Sequence, residues 1–468
     1  MLPKQLGWCA SYDEVDNVNR VVRASAVFIV SLSLALGAFG DTAPHPVADW
    51  IRSAVVYELN TRAFSESGNF RGIEDRLDNL KDLGVTIVWL MPISPVGQVK
   101  KKGTLGSPYA VRDYYAIDPA YGTKDDLKRL VAAAHTRGLK VIVDVVINHT
   151  AWDNVLIKQH PEFYKKDAQG NIIPPDPAWT DVAGLDYRNP QLRTYMIEML
   201  KYWLKEFDLD GFRCDVAWGV PVDFWDTARA ELEKVKPQIV MIAEANQPDL
   251  LTKAFDLDYA WPFMHTIDDV MENGLTAQGI MFNWQKEHEK FGKAIEMRML
   301  DDHDERRVIG RLGERGMLAA SALIFTSDGV PLLYNGMEAG DTTESRDPAL
   351  FENLKVFWDI VKVRTQFLPF YKQMIALRKA HPALQQGETE WLRNGAQDRV
   401  LTYIRRGAGE EFFVAINCSN QPFAGVAEIP DGEYEDVTPK HGDEAANKVS
   451  PPAVVLGAWE FRIYRKAK

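Results

Sequence analysis

Eight short apolar runs rich in β-branched residues, alternating with amphipathic helical stretches, constrain the fold of this chain more than any other feature. They are SAVVYELN (53–60), VTIVWLMPI (85–93), LKVIVDVVIN (139–148), GFRCDVA (211–217), QIVMIAEA (238–245), FDLDYAW (255–261), MRMLDDH (297–303) and ALIFTSDGVPLLY (322–334). Most lack the polar alternation of a strand with one wet face, so they read as strands covered on both sides in a parallel sheet. Eight of them predict an α/β fold of the closed (β/α)8 kind, a TIM barrel.

The helices between them are well marked. Thr123, with Asp126 three residues on, caps a stripe of Leu127, Leu130, Val131 and Ala134 that Gly138 ends. Asn189 followed by Pro190 opens another, with Leu192, Met196, Met199, Leu200 and Trp203 on one face. Barrel units of this type recur about every 30 residues, yet the third and fourth runs start about 70 apart. The excess predicts a small lobe, rich in Pro, Asp, Asn and Trp, inserted at 148–186. After about residue 387 the pattern becomes short alternating strands, which predicts a C-terminal antiparallel β-sandwich. The expected division is therefore 1–43 as signal peptide or anchor, 44–147 with 187–385 as barrel, 148–186 as lobe and 386–468 as sandwich.

Composition narrows the partners. A net charge of −12 without a basic stripe excludes nucleic acid. Thirteen Trp and sixteen Tyr suit stacking on uncharged rings, or simply a large core. Cys9, Cys214 and Cys418 have neither metal-ligand spacing nor the pattern of a disulfide framework. The apolar stretch at 26–40, after Arg20 and Arg23, resembles a secretory signal despite Asp13, Glu14 and Asp16 upstream. A secreted or periplasmic protein, with no stable membrane insertion after cleavage, is the expectation.

In a parallel barrel the C-terminal strand ends converge on one mouth, where activity is built. Those ends carry Asp144, Asn148 and His149 after the third run, Arg213 and Asp215 on the fourth, Glu244 on the fifth, and His303 with Asp304 after the seventh. Arg213 and Asp215 lie two apart and project together, and a salt bridge would account for that pair alone. Three carboxylates gathered with an arginine and two histidines ask for more, because like charges so close are costly. Glycosidic cleavage uses such a group: one carboxylate attacks the anomeric carbon and a second protonates the leaving oxygen. On this reading Arg213 lowers the pKa of Asp215 and keeps it ionised, while neighbouring anions push Glu244 upward.

The segments DVVINHT, GFRCDVA, EAN and LDDHDERR, with SPYAVRDYYAIDPAYGT at 107–123, resemble in order and spacing the short conserved regions of the α-amylase family of retaining glycoside hydrolases and transglycosylases. The resemblance spans about 50–465. It implies that Asp215 is the nucleophile, Glu244 the general acid/base and Asp304 the third carboxylate, holding sugar hydroxyls. It implies that His149 and His303 bind hydroxyls of the same sugar, Tyr109 stacks on it, Arg213 orients Asp215, and Asp144 supports the site from beneath as part of the substrate-binding set. Trp152, Trp179, Trp218, Tyr259 and Trp261 are candidates for outer sugar subsites or for the core. No organic cofactor is expected.

The chain departs from the family at three places. Trp218 and Gly219 stand where many members have Lys-His, which alters a sugar contact and leaves at most the Gly219 carbonyl, Asn148 and Asp186 for calcium. Asp302 precedes His303 where asparagine is usual. The short lobe and the lack of a further aromatic-rich module favour soluble maltooligosaccharides over granular starch. The substrate expected is an α-1,4-linked glucan or maltooligosaccharide. Transglycosylation, sugar isomerisation and α-1,6 cleavage by the same intermediate are the alternatives, and a non-catalytic sugar-binding homologue is disfavoured because all three carboxylates are present.

Overall fold

Eight strands, β1 (Val56–Leu59), β2 (Ile87–Leu90), β3 (Lys140–Val146), β4 (Gly211–Asp215), β5 (Val240–Ala243), β6 (Leu257–Tyr259), β7 (Glu296–Arg298) and β8 (Val330–Tyr334), pair in parallel with their sequence neighbours, and β8 returns to β1. The barrel is closed. This computed structural model describes residues 44–440 and 449–467; the segment expected to be a signal or anchor lies outside the described residues. Among the described residues, no helix is long and apolar enough to cross a membrane.

Strand alternation sorts the side chains. Val56, Ile87, Trp89, Ile142, Val240, Ile242, Leu257, Tyr259, Met297 and Leu332 form one cluster inside the barrel, while Tyr57, Val88, Leu90, Val141, Val143, Phe212 and Met241 join the layer beneath the helices. The inward parity that places Val56, Ile142 and Ile242 in the core continues upward to Glu58, Asp144 and Glu244, with Arg213 and Asp215 beside them in register. The same rows thus turn from hydrocarbon to charge at the mouth. Gly211 opens β4 because a Cβ there would lie 1.8 Å from the Val240 carbonyl oxygen.

One run divides. Residues 322–326 of the eighth end the helix Val308–Thr326, and only Val330–Tyr334 is strand. Every residue from Gly316 to Thr326 is buried, so this helix shows no polar stripe by which a sequence reading separates it from a strand. The helices expected from the caps form at Lys124–Thr136, with a reciprocal Thr123–Asp126 capping box, and at Pro190–Phe207.

Between β3 and β4 a two-stranded antiparallel pair, His149–Ala151 with Val182–Gly184, puts His149 opposite Gly184. The C-terminal part is a five-stranded antiparallel sheet and a two-stranded one. Period-two alternation gives the larger sheet two apolar faces. Leu401, Tyr403, Phe412, Val414 and Ile416 join the main core, and Val400, Ile404, Phe413 and Ala415 meet Phe423, Val454 and Leu456. Buried Arg378 ties the junction, donating to the carbonyls of Phe325, Ser327 and Leu384 at 3.1, 2.7 and 2.6 Å.

Candidate active site

Arg213 is the centre of the mouth. Its Nη1 donates to both oxygens of Asp144 at 3.0 Å and to Asp215 Oδ1 at 3.2 Å. Its Nη2 lies 2.9 Å from Glu244 Oε2, and Nε donates to the Tyr259 hydroxyl at 3.1 Å. One guanidinium therefore serves three carboxylates. The side chains of Arg213 and Asp144 are 1% and 0% exposed, so neither can touch a sugar. Grouped with the substrate-binding residues and expected to orient Asp215 and support the site from beneath, they form the floor on which Asp215 and Glu244 stand.

Backbone strain completes the pair. Val216 has φ 45°, a region that a β-branched residue rarely occupies. This turn directs the Val216 N–H to Glu244 Oε2 at 2.7 Å, so the residue after Asp215 fixes Glu244 beside it. Asp215 Oδ2 is buried without a hydrogen-bond donor among the described residues and faces His149 Nε2 at 3.9 Å. Burial lowers the His149 pKa to about 4, so this imidazole is neutral and leaves Asp215 without a second cation.

On the opposite wall, His303 sits between two carboxylates. Nδ1 is 2.5 Å from Glu58 Oε1 and Nε2 is 3.2 Å from Asp304 Oδ2. The Tyr109 ring stacks on it at 4.9 Å and 17°, and the Tyr109 hydroxyl donates to Asp144 at 2.9 Å. One face of Tyr109 is thus covered by His303. Asp304 is the accessible carboxylate of the group, its side chain 43% exposed. The turn that carries it is pinned by Asp302, whose Oδ1 accepts from the Asp304 and Glu305 N–H groups at 2.8 and 3.0 Å, a duty that an asparagine oxygen performs equally well.

The electrostatics correct one expectation. Burial pushes the Asp215 carboxyl well above the ordinary carboxylate range, the Glu244 charge adds to it, and Arg213 only opposes them. Glu244 is also raised, by burial first, with Arg213 pulling it down. Arg213 does not hold Asp215 below its usual pKa, because its charge is divided among three acids while dehydration acts on each. Two such carboxyls linked through one cation titrate as a coupled pair rather than as independent acids. Asp304 goes the other way: burial opposes its charge, but His303 outweighs burial and holds it below the usual value.

Asn148, Asp186 and Gly219 lie near the third and fourth strand ends, and a Cβ on Gly219 would meet Asn148 Oδ1 at 2.8 Å. The Asp186 carboxylate, however, is held by Arg188, with Nε at 2.8 and 3.1 Å and Nη2 at 2.6 Å. A guanidinium already neutralises the one acid of the set, which does not fit a divalent cation, and no step below passes through one. Among the aromatic candidates, Tyr259 is fully buried, Trp179 packs edge-on to His149 at 5.7 Å, Lys100 lies over Trp152 at 3.7 Å, and Trp218 is 54% exposed. Trp261 stacks on Tyr259 at 5.1 Å. Glu58 and Arg346 escaped the sequence reading. The Arg346 N–H donates to the His303 carbonyl at 3.0 Å and its charge helps hold Asp304 down.

A model of the α-amylase catalytic domain matches residues 38–173 and 178–360. Alpha-amylase 2 of Dictyoglomus thermophilum is 29% identical over 421 residues, which cover 80% of this chain and 70% of the relative. Among solved structures, a maltogenic α-amylase from Thermotoga neapolitana is 33% identical with a TM-score of 0.78, covering 89% of this chain and 96% of the other. An α-amylase from Lactobacillus plantarum is 30% identical with a TM-score of 0.79 over 89% and 99%. The matches overturn the expected secreted or periplasmic location. A relative 28% identical over 389 residues, 73% of this chain and 64% of the relative, is an intracellular maltogenic amylase of Bacillus subtilis, so the likeness brings no export with it. The apolar stretch on which that expectation rested lies outside the described residues.

Proposed function

The chain belongs to the α-amylase family of glycoside hydrolases, and on that premise we propose that it cleaves α-1,4-glucosidic bonds of soluble maltooligosaccharides with retention, through a glycosyl-enzyme ester at Asp215. The observation that carries this is the linkage of Asp215 and Glu244 through Arg213, at 3.2 and 2.9 Å, below an accessible Asp304. The reaction requires Glu244 in its acid form and Asp215 as the anion when a sugar is bound. Asp215 then attacks C1 as the anion while Glu244 protonates the leaving glycosidic oxygen, so the C1–O bond breaks as the ester bond forms. Water next enters, Glu244 takes its proton, and the ester opens with the anomeric configuration restored. Asp304 accepts hydroxyls of the same sugar, His303 holds Asp304 in place from behind, and dehydration of the pocket strengthens these contacts.

Chromatography of the products from maltoheptaose, panose and sucrose tests this reading. Shorter maltooligosaccharides from maltoheptaose, with sucrose and the α-1,6 bond of panose left intact, are expected. Longer oligomers would favour transglycosylation, and cleavage of panose at its α-1,6 bond would favour the α-1,6 reading.

Trp218 follows Asp215 by three residues and is the exposed residue of the 3-10 turn Ala217–Gly219, and we assign it to a subsite for the outgoing part of the chain. Trp218→Ala is expected to raise KM for maltoheptaose by about 3- to 10-fold, the worth of one stacked ring, with kcat little changed. An unchanged KM would remove Trp218 from the subsite. Since Arg188 already satisfies Asp186, dialysis against EDTA is expected to leave both activity and melting temperature unchanged. A fall in Tm reversed by calcium in the parent, and absent in Asp186→Asn, would instead place a cation there.

A further inference from the structure

We infer that Glu58 is a positioning residue of this site, which holds His303 as a doubly hydrogen-bonded imidazolium beside Asp304. The inference rests on the hydrolase reading above and adds to it a residue from β1. Glu58 is 0% exposed at the C-terminal end of β1, the only charged residue of that strand. Its Oε1 is 2.5 Å from His303 Nδ1, and Asp304 Oδ2 is 3.2 Å from Nε2. A neutral imidazole has one N–H and one lone pair. With a carboxylate oxygen at each nitrogen, the neutral form would set a lone pair against an anionic oxygen in a buried site. Only the imidazolium donates in both directions. Tyr109, stacked at 4.9 Å, and Trp89, edge-on at 6.1 Å, fix the ring plane that these two hydrogen bonds need.

The charges around the ring agree. Carboxyls face His303 from β1 (Glu58), β3 (Asp144), the residue after β5 (Glu244) and the turn after β7 (Asp302 and Asp304), while the cations Arg213 and Arg346 act on Asp304. Burial works against a charge on His303, but Asp304 and Glu58 outweigh it and raise its pKa well above the ordinary value. The neighbouring phenols of Tyr109 and Tyr334 are raised and stay neutral. Asp304 gains a fixed N–H partner and a cation, remaining an anionic acceptor for sugar hydroxyls in an otherwise acidic mouth. Glu58 reaches the reaction only through His303.

The test is a pH titration of the full chain labelled with 15N-histidine, which has nine histidines; His303→Gln identifies the His303 signal. In the parent, His303 is expected to keep both ring nitrogens protonated at about pH 7 and to titrate above the ordinary imidazole range. In Glu58→Gln, which keeps the shape and removes the charge, its titration should move down toward that ordinary range. The alkaline limb of kcat on maltoheptaose should move down by about one pH unit, so that activity above the new limb falls about tenfold. A merely structural Glu58 would lower Tm and leave the limb in place. The assignment is overturned if His303 is neutral at pH 7 in the parent, or if its titration is the same in Glu58→Gln. The spectra need no substrate, so failure of the hydrolase reading appears in the parent's activity assay and failure of the Glu58 assignment in the spectra.

Discussion

Asp215→Asn is expected to reduce kcat on maltoheptaose by about 10⁵-fold, in line with the removal of other covalent nucleophiles, while leaving the protein folded. The loss is chemical rather than structural for a reason visible in the site. Asp215 Oδ2 accepts no hydrogen bond among the described residues, and its carboxyl is pushed up by burial and by Glu244. An uncharged amide of the same shape relieves the second penalty, so the melting temperature should hold or rise, as is common where function has been bought with stability. Retention of a tenth or more of the parent rate would falsify the assignment of Asp215. A complementary result is expected from Glu244→Gln supplied with an α-maltosyl fluoride, which needs little acid help to leave. The glycosyl-enzyme should accumulate, and peptide mass spectrometry should find the sugar on the fragment carrying Asp215.

The barrel was legible because its strands are covered on both faces, which leaves uninterrupted runs such as IVWL and VMIA, and because caps such as Thr123–Asp126 mark the helices. It was less legible at Ala322–Thr326, where a helix buried on all sides has no wet face to betray its period. The candidate carboxylates could be found because a charge in an apolar run is conspicuous. Glu58 in VVYELN carries the same signal as Asp215 in GFRCDVA, and only its partner His303, 245 residues away, was out of sight. What sequence could not supply was the partition of Arg213. Spacing along β4 pairs it with Asp215, whereas register across β3, β4 and β5 brings Asp144 and Glu244 to the same guanidinium. Burial of Asp215 and the Glu244 charge beside it, with Arg213 divided among three acids, reversed the expected pKa direction of Asp215.

The division of Arg213 makes its removal the most damaging change in the mouth. In Arg213→Leu, three carboxyls, Asp144, Asp215 and Glu244, lose a common cation within a site where Arg213 and the Asp144 side chain are almost wholly buried. Breaking a buried ion pair costs about 3–5 kcal/mol when a charge is left uncompensated, and the apparent melting temperature at pH 7 should fall by about 3–5 °C. The cost depends on pH with a definite sign. The folded-state pKa values of Asp215 and Glu244 already lie above their unfolded values, so the folded state binds the extra protons. Their contribution favours folding most fully below the unfolded carboxylate range, about pH 4, and is lost as pH rises through the folded values. Without Arg213 those values move higher still. The variant should therefore lie nearest the parent in melting temperature at about pH 5 and diverge as pH approaches 8, which scanning calorimetry of both proteins across that range would show. A constant difference at every pH would mean that Arg213 contributes by packing on Trp89, 5.1 Å away, rather than by balancing the acids. Activity of the variant should be lost at every pH, because protonating Asp215 to stabilise the fold also removes the anion that attacks.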